Sequence, residues 1–267
     1  MRSPDIKLAP ISVIVPCYRC GPSLEVALNS ILDQSLPPKE IIIVDDASGD
    51  QTGDFIISLT KGKEDLIKVL SLKKNGGPGV ARNHGWESAT QPWLAFLDAD
   101  DAWHPRKLEV QWNWLNQHSE VVLVGHDSRV FSGSLNTDID IEPPAQRVTF
   151  KEMLVSNRIL TRTAMVRRDI PYRFGTARFS EDYRLWLSLV AEGYPTYRLN
   201  EKLAFSFRAE YSKGGLSENL WGHEVEELKT FWFLHRKGKL TKLEIAFASF
   251  WSFVKFLRRA MIRLVSA

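Results

Sequence analysis

Five short apolar runs, separated by helix-like segments, constrain the fold of this chain more than any other feature. They are "ISVIVP" (11–16), "EIIIVDD" (40–46), "IKVLSL" (67–72), "WLAFL" (93–97) and "VVLVGH" (121–126). A strand with one wet face alternates apolar and polar residues, whereas a strand that is apolar throughout needs cover on both faces. The intervening segments supply that cover. In "PSLEVALNSILDQS", Leu24, Ala27, Leu28, Ile31 and Leu32 recur along one helix face. A short helix is expected around 52–60, and further helices in "VARNHGWESA" and "PRKLEVQWNWLNQH". This order predicts an α/β chain with a mainly parallel sheet flanked by helices. After about residue 128 the pattern loosens into "DSRVFSGSLNTDIDIEPPA", followed by a helix over 180–193, a strand near 202–208 and a long helical C-terminus. At 267 residues and 44% hydrophobic, the chain can bury one large core with an appendage.

In parallel sheets, ligands bind beyond the carboxyl ends of the strands. Those ends are acidic here: Asp45 and Asp46 close the second run, and Asp98, Asp100 and Asp101 follow the fourth. Two like charges about 4 Å apart cost roughly 1 kcal/mol in water and roughly 4 at an effective dielectric near 20. If the strand continues, Asp98 and Asp100 point to one side and Ala99 to the other. Two hard oxygen donors on one side suit Mg²⁺ or Mn²⁺, whose charge removes the repulsion. The alternative is a polar turn, with Asp101 capping the next helix or solvated. Asp45 or Asp46 could accept hydrogen bonds from a base or ribose, or could only shape a turn with Ser48 and Asp50. The loop "NGGPGVARNHG" allows close backbone approach and ends in a helix N-terminus that favours anions, without being a P-loop or G-x-G-x-x-G motif. Ser180-Glu181-Asp182 opens a helix, where acids either serve chemistry or simply favour the helix dipole.

Other classes find less support. Cys17 and Cys20 form a lone C-x-x-C, a spacing that redox motifs also use; with no second ligand pair for zinc, they read as incidental thiols of a reducing compartment. No secretory leader is expected in "MRSPDIKLAPISVIVPCY", and no run of 18 apolar residues predicts a membrane span, so a cytoplasmic setting is expected. The net charge of +3 divides unevenly: residues 229–267 carry nine Lys/Arg against one Glu, and the remainder is acidic by five. Leu243, Phe247, Phe250, Val254, Leu257, Met261 and Leu264 follow steps of four and three, with Lys255, Arg258, Arg259 and Arg263 on another face and Trp251, Phe253 and Phe256 widening the apolar side. Residues 241–267 thus suit an anionic membrane surface, or a helix packed on the main body. No nucleic-acid motif accompanies the charge, and nucleic acid is not expected as a partner.

In order and spacing, "VIVPCYR", "EIIIVDDASGDQT", "NGGPGVARNHG", "FLDADD" and "SEDYRLWLSLVAEG" resemble glycosyltransferase family 2 over roughly residues 10–215. The resemblance implies a GT-A (Rossmann-like) catalytic domain over 1–215 and a helical, basic C-terminal region over 216–267. It also implies inverting transfer from a nucleotide-sugar donor. Carried over residue by residue, Pro16 and Tyr18 border the nucleobase, Asp46 binds uracil and Arg82 lies near the donor. Asp98 and Asp100 form the metal-and-diphosphate motif, and Asp182 is the base with Glu181 in reserve. Arg19 departs from the family's usual Asn. The processive Q-x-x-R-W motif is absent, and Phe207, Arg208 and Glu210 stand where the family often has Y-R-x-H, leaving Glu210 as a candidate third metal ligand. The expected function is Mn²⁺- or Mg²⁺-dependent, non-processive transfer from a UDP-sugar to a saccharide or lipid-linked saccharide in cell-surface polysaccharide synthesis, at the inner face of the cell membrane. A sugar nucleotidylyltransferase should carry a long Gly- and Arg/Lys-rich loop after the first strand, and "PCYRCGP" is short. A non-catalytic, membrane-docked nucleotide-sugar binding module would not need both the D-x-D pair and a candidate base.

Overall fold

The computed structural model describes residues 8–131, 133, 138–207 and 219–265. The first four strands, β1 (Ala9–Cys17), β2 (Pro38–Asp45), β3 (Ile67–Ser71) and β4 (Trp93–Phe96), pair in parallel in the order β3-β2-β1-β4. Central strand β1 is buried on both faces, and its alternate residues feed two cores. Val13 and Val15 pack with Leu24, Leu28, Leu108 and Leu115, while Ile14 joins Trp86, Phe96 and Trp186 on the opposite side. The first layer comes from α1 (Ser23–Leu32) and α4 (Lys107–Gln117), and the second from α3 (Pro78–Ser88) and α6 (Glu181–Ala191). Helix α3 sits against the sheet because Gly85 has no side chain: a Cβ there would lie 2.5 Å from Ile14 Cγ2.

Beyond β4 the sheet departs from the expected parallel pattern. The short β8 (Met165–Arg167) runs antiparallel to both β4 and β6 (Leu123–Val130), and β9 (Thr196–Ser206) lies parallel to β6. The three-residue strands β5 (Asp101–Trp103) and β7 (Ala145–Arg147) pair antiparallel with β9. The sheet is therefore mixed: the expected runs pair in parallel over β3-β2-β1-β4, and the antiparallel pairings all involve β5, β7 or β8, three-residue strands too short to show a period. Helices α2 (Thr52–Thr60) and α5 (Phe150–Val155) complete the body, α5 carrying a reciprocal Thr149–Glu152 capping box.

The C-terminal region is a helix pair, α7 (Leu220–Arg236) and α8 (Lys242–Val265). Phe231, Leu234, Leu240, Ile245 and Ala248 join the same apolar cluster as Trp86 and Trp186. The boundary placed between residues 215 and 216 lies outside the described residues, as do Arg208 and Glu210. Among the described residues no helix is long and apolar enough to cross a membrane.

Candidate active site

A cavity of about 880 Å³ opens at the carboxyl ends of β1, β2 and β4. Eight of the sequence candidates line it: Pro16, Tyr18, Asp46, Arg82, Asp98, Asp100, Glu181 and Asp182. They come from strand ends, the second turn of α3 and the first turn of α6, segments up to 166 positions apart in the chain.

Asp46 is buried, and its two oxygens accept the backbone N–H groups of Gly76 (2.8 Å) and Gly77 (2.7 Å). Gly77 has a φ of 86°, so a side chain there would be strained while the N–H is aimed at the carboxylate. The neighbouring Asp45 instead holds Ser48 through its N–H (3.1 Å) and hydroxyl (2.5 Å). The two acids thus divide the work: Asp46 anchors the glycine loop and faces the cavity, and Asp45 shapes the turn. Tyr18 is half exposed at the rim with the Arg19 guanidinium 5.2 Å from its ring centre. Arg19 has a φ of 49°, a left-handed conformation that Asn tolerates better than most residues, which matches the family's usual Asn at this position. Cys17 and Cys20 are joined as a disulfide across this turn, in place of the two free thiols expected.

The acidic cluster is resolved differently from the extended-strand expectation. Strand β4 stops at Phe96, and Asp101 donates its N–H to the Asp98 carbonyl at 3.0 Å, so residues 98–101 form a turn leading into β5. Ala99 is still turned inward and Asp98 and Asp100 still reach the cavity, through turn geometry rather than strand alternation. Two of the three charges are met by arginines. Arg82 donates to Asp98 (2.5 Å) and to Glu181 (2.6 Å), and Arg162 pairs with Asp101 at 3.3 Å. The repulsion that a cation was expected to remove is thus partly removed by the chain itself. Asp101 is neither a helix cap nor solvated: it is buried in β5, and burial pushes its pKa up to about 7 against the pull of Arg162. Arg162 was not anticipated. It sits in a 3-10 turn (Thr161–Thr163), 61 positions from its acid, and "RILTRT" carries no local sign of that contact.

Glu181 and Asp182 open α6 with different surroundings. The Glu181 carboxyl is buried against Arg82, and burial raises its pKa to about 7 despite that partner. Asp182 accepts from the Thr161 hydroxyl at 2.9 Å, lies 3.5 Å from the Asn157 amide, and takes the Tyr183 N–H at 2.7 Å. Its orientation is fixed while it lines the cavity. Ser180 holds the N-cap position of α6, but its side chain makes no cap hydrogen bond. Its backbone is left-handed (φ 52°), and its hydroxyl pairs with His223 Nδ1 at 3.0 Å, bringing the first turn of α7 to the cavity wall. Among the described residues no group of three His, Cys, Asp or Glu side chains converges as a metal cage; Asp98 and Asp100 are the hard-oxygen pair facing the cavity.

This geometry has counterparts among known proteins. The family model "Glycosyl transferase family 2" matches residues 12–174. A Bacillus subtilis chain named as a teichuronic acid biosynthesis glycosyltransferase, TuaG, is 33% identical over 94% of this chain and 96% of its own. The Escherichia coli UDP-Glc:alpha-D-GlcNAc-diphosphoundecaprenol beta-1,3-glucosyltransferase WfgD is 27% identical, covering 83% of each chain. The mannosyltransferase PcManGT of Pyrobaculum calidifontis, solved with GDP-Man and Mn²⁺, shares the fold with a TM-score of 0.69 at 18% identity, over 100% of this chain and 80% of that one. Motif order, cavity position, the match over most of the sheet and near full-length relatives agree: the chain belongs to glycosyltransferase family 2 and is a glycosyltransferase of GT-A fold.

Proposed function

We propose that this chain transfers a glycosyl group from a UDP-sugar, with inversion, to a lipid-linked saccharide in the assembly of a cell-surface polysaccharide. The observation that carries this reading is the presence of Asp182, fixed by Thr161, on the same cavity as Asp98 and Asp100. A proton acceptor and the acids suited to a diphosphate site share one cleft. The names of TuaG and WfgD, one giving teichuronic acid biosynthesis and the other UDP-Glc with a diphosphoundecaprenol-linked acceptor, support the substrate class.

In this reading Pro16 and Tyr18 border the uracil. Asp46 accepts its imide N–H, since each carboxylate oxygen has a lone pair beyond those taken by Gly76 and Gly77. The acceptor hydroxyl attacks the anomeric carbon as Asp182 takes its proton, and the bond to the nucleoside diphosphate breaks in the same displacement. Arg82, held between two acids, fixes Asp98. Asp98 and Asp100 fit Mg²⁺ or Mn²⁺, because such ions take one or two carboxylates and complete their shell with water and substrate phosphate. The bound ion would supply positive charge for the departing diphosphate. In calorimetry, Mn²⁺ tightens UDP binding to the parent, and Asp100→Ala loses that enhancement. Equal UDP affinity with and without Mn²⁺ in both proteins overturns the metal assignment, and absence of transfer from any UDP-sugar to lipid-linked acceptors overturns the donor and acceptor classes.

The same reading places the enzyme on an anionic membrane, at the inner face. The stripe Leu243, Phe247, Phe250, Val254, Leu257 and Met261 is exposed, Leu243 by 83% and Phe250 by 65%, so it is not the face that packs on the body. Ile245, Ala248 and Ser252 make that contact. Lys255 and Arg259 turn inward to Glu227, leaving Lys242 and Arg258 exposed beside the stripe, fewer surface cations than the sequence suggests. Burying a Phe side chain is worth about 1.5–3 kcal/mol. Phe247→Glu with Phe250→Glu therefore lowers affinity for phosphatidylglycerol vesicles at least about tenfold, with little change in melting temperature. Vesicle binding that survives both charges refutes this surface.

A further inference from the structure

Behind the acidic turn, three polar side chains sit in the core with atoms that have no partner. Lys107 and Gln111 are one turn apart on α4, both fully buried, and His126 on β6 is 2% exposed. Lys107 Nζ, Gln111 Oε1 and His126 Nε2 each lack a hydrogen-bond partner. Leaving a buried polar atom unpaired is costly, and native interiors rarely leave several together.

The contacts these residues do make fix what is missing. The Gln111 amide nitrogen donates to the Val124 and Thr163 carbonyls (3.3 and 3.0 Å), so Oε1 is the end left over and it can only accept. His126 Nδ1 lies 2.7 Å from the Asp127 carbonyl, which must accept, so the proton is on Nδ1. In the neutral ring, Nε2 is then a bare acceptor. Burial, with Lys107, Arg162 and Arg198 nearby, holds His126 in that neutral form by lowering its pKa. Lys107 Nζ is a donor and sits 3.7 Å from the centre of the Trp103 ring. Gln111 ties α4 to Val124, two residues before His126 and on the same side of β6, so the three atoms belong to one region of the α4–β6 interface. One donor and two acceptors are the complement of a single water, which accepts once and donates twice. An anion would meet two lone pairs and an amine that burial discourages from charging.

We propose that Lys107, Gln111 and His126 enclose one ordered water that joins α4 to β6 beneath Trp103. Its place matters to the cavity wall. Trp103 lies over Lys107 and donates its indole N–H to the Arg162 carbonyl at 2.7 Å, and the Arg162 guanidinium holds Asp101. Buried waters of this kind make about three hydrogen bonds and are costly to remove.

The test is a crystal structure of the full chain combined with a thermal double-mutant cycle. The expected density is one water within 3.2 Å or so of all three atoms. The expected melting behaviour is a loss of several degrees for Lys107→Met and for His126→Phe, with the double variant losing clearly less than the sum, because both substitutions break the same bridge. A direct Lys107–His126 contact without water overturns the proposal. So does a rise in melting temperature for Lys107→Met, the result expected when an orphaned amine is removed from a dry core. Additive losses across the cycle also overturn it. Should Lys107→Met fail to fold, the density in the parent and the His126→Phe structure still decide.

Discussion

Asp182→Asn leaves UDP affinity within about twofold of the parent and lowers transfer turnover by roughly 10²–10⁴, the range for loss of a positioned general base. The substitution preserves size, and an amide oxygen can still accept from the Thr161 hydroxyl that holds the aspartate at 2.9 Å. What it removes is the capacity to take a proton. The competing account is that Asp182 is only an acid in the first turn of α6, favoured by the helix dipole. In that case its loss costs about 0.3–1 kcal/mol of stability and spares turnover. Measuring turnover at saturating donor together with the melting temperature separates the two. Glu181→Gln has the opposite signature, because its carboxyl is buried against Arg82 and its replacement weakens that contact: melting falls more than it does for Asp182→Asn. If Asp182→Asn transfers sugar at near the parent rate, the proton goes elsewhere and the base assignment is withdrawn.

The parallel half of the sheet is legible in the sequence because strands covered on both faces must be apolar at every position. "ISVIVP" and "EIIIVDD" satisfy that rule. The antiparallel half is not legible. Three residues, as in β5, β7 and β8, cannot display a period, and their pairing is set by partners 41 to 105 positions away. The site divides along the same line. Asp46, Asp98 and Asp100 announce themselves as charges at the mouths of buried strands, and position alone brings them to the cavity. The groups that neutralise and orient them do not. Arg162 meets Asp101 across 61 positions, Glu181 meets Arg82 across 99, and Ser180 meets His223 across 43. Such contacts follow from packing, and no local spacing encodes them. The same limit explains the C-terminal stripe. Its period shows that Leu243, Phe247 and Phe250 share a face, but only the packing of Ile245 and Ala248 shows which face looks outward.

Arg82 is the residue on which the cleft's architecture turns, and Arg82→Met should be the most destabilising single change among those that line it. The guanidinium is 4% exposed as a residue and bridges two carboxylates from β4's end and α6's start, at 2.5 and 2.6 Å. The acids hold its proton firmly, raising an already high pKa. Methionine fills a similar volume without charge, so the loss is mainly electrostatic rather than a cavity. Removing one partner of a buried ion pair costs about 3–5 kcal/mol, because the remaining charge is left in a poor solvent. At 2–4 °C per kcal/mol for domains approaching this size, melting falls by roughly 10 °C. Arg82→Lys recovers only part of this, since an ammonium lacks the planar fork that reaches two acids at once. The diagnostic step is the double variant Arg82→Met with Glu181→Met. Once the stranded carboxyl is also gone, melting should recover above Arg82→Met alone, as expected when apolar pairs replace buried ionic ones. A melting temperature for Arg82→Met within 2 °C or so of the parent, or a double variant worse than the sum of its parts, shows that the bridge does not hold the two halves of the cleft together.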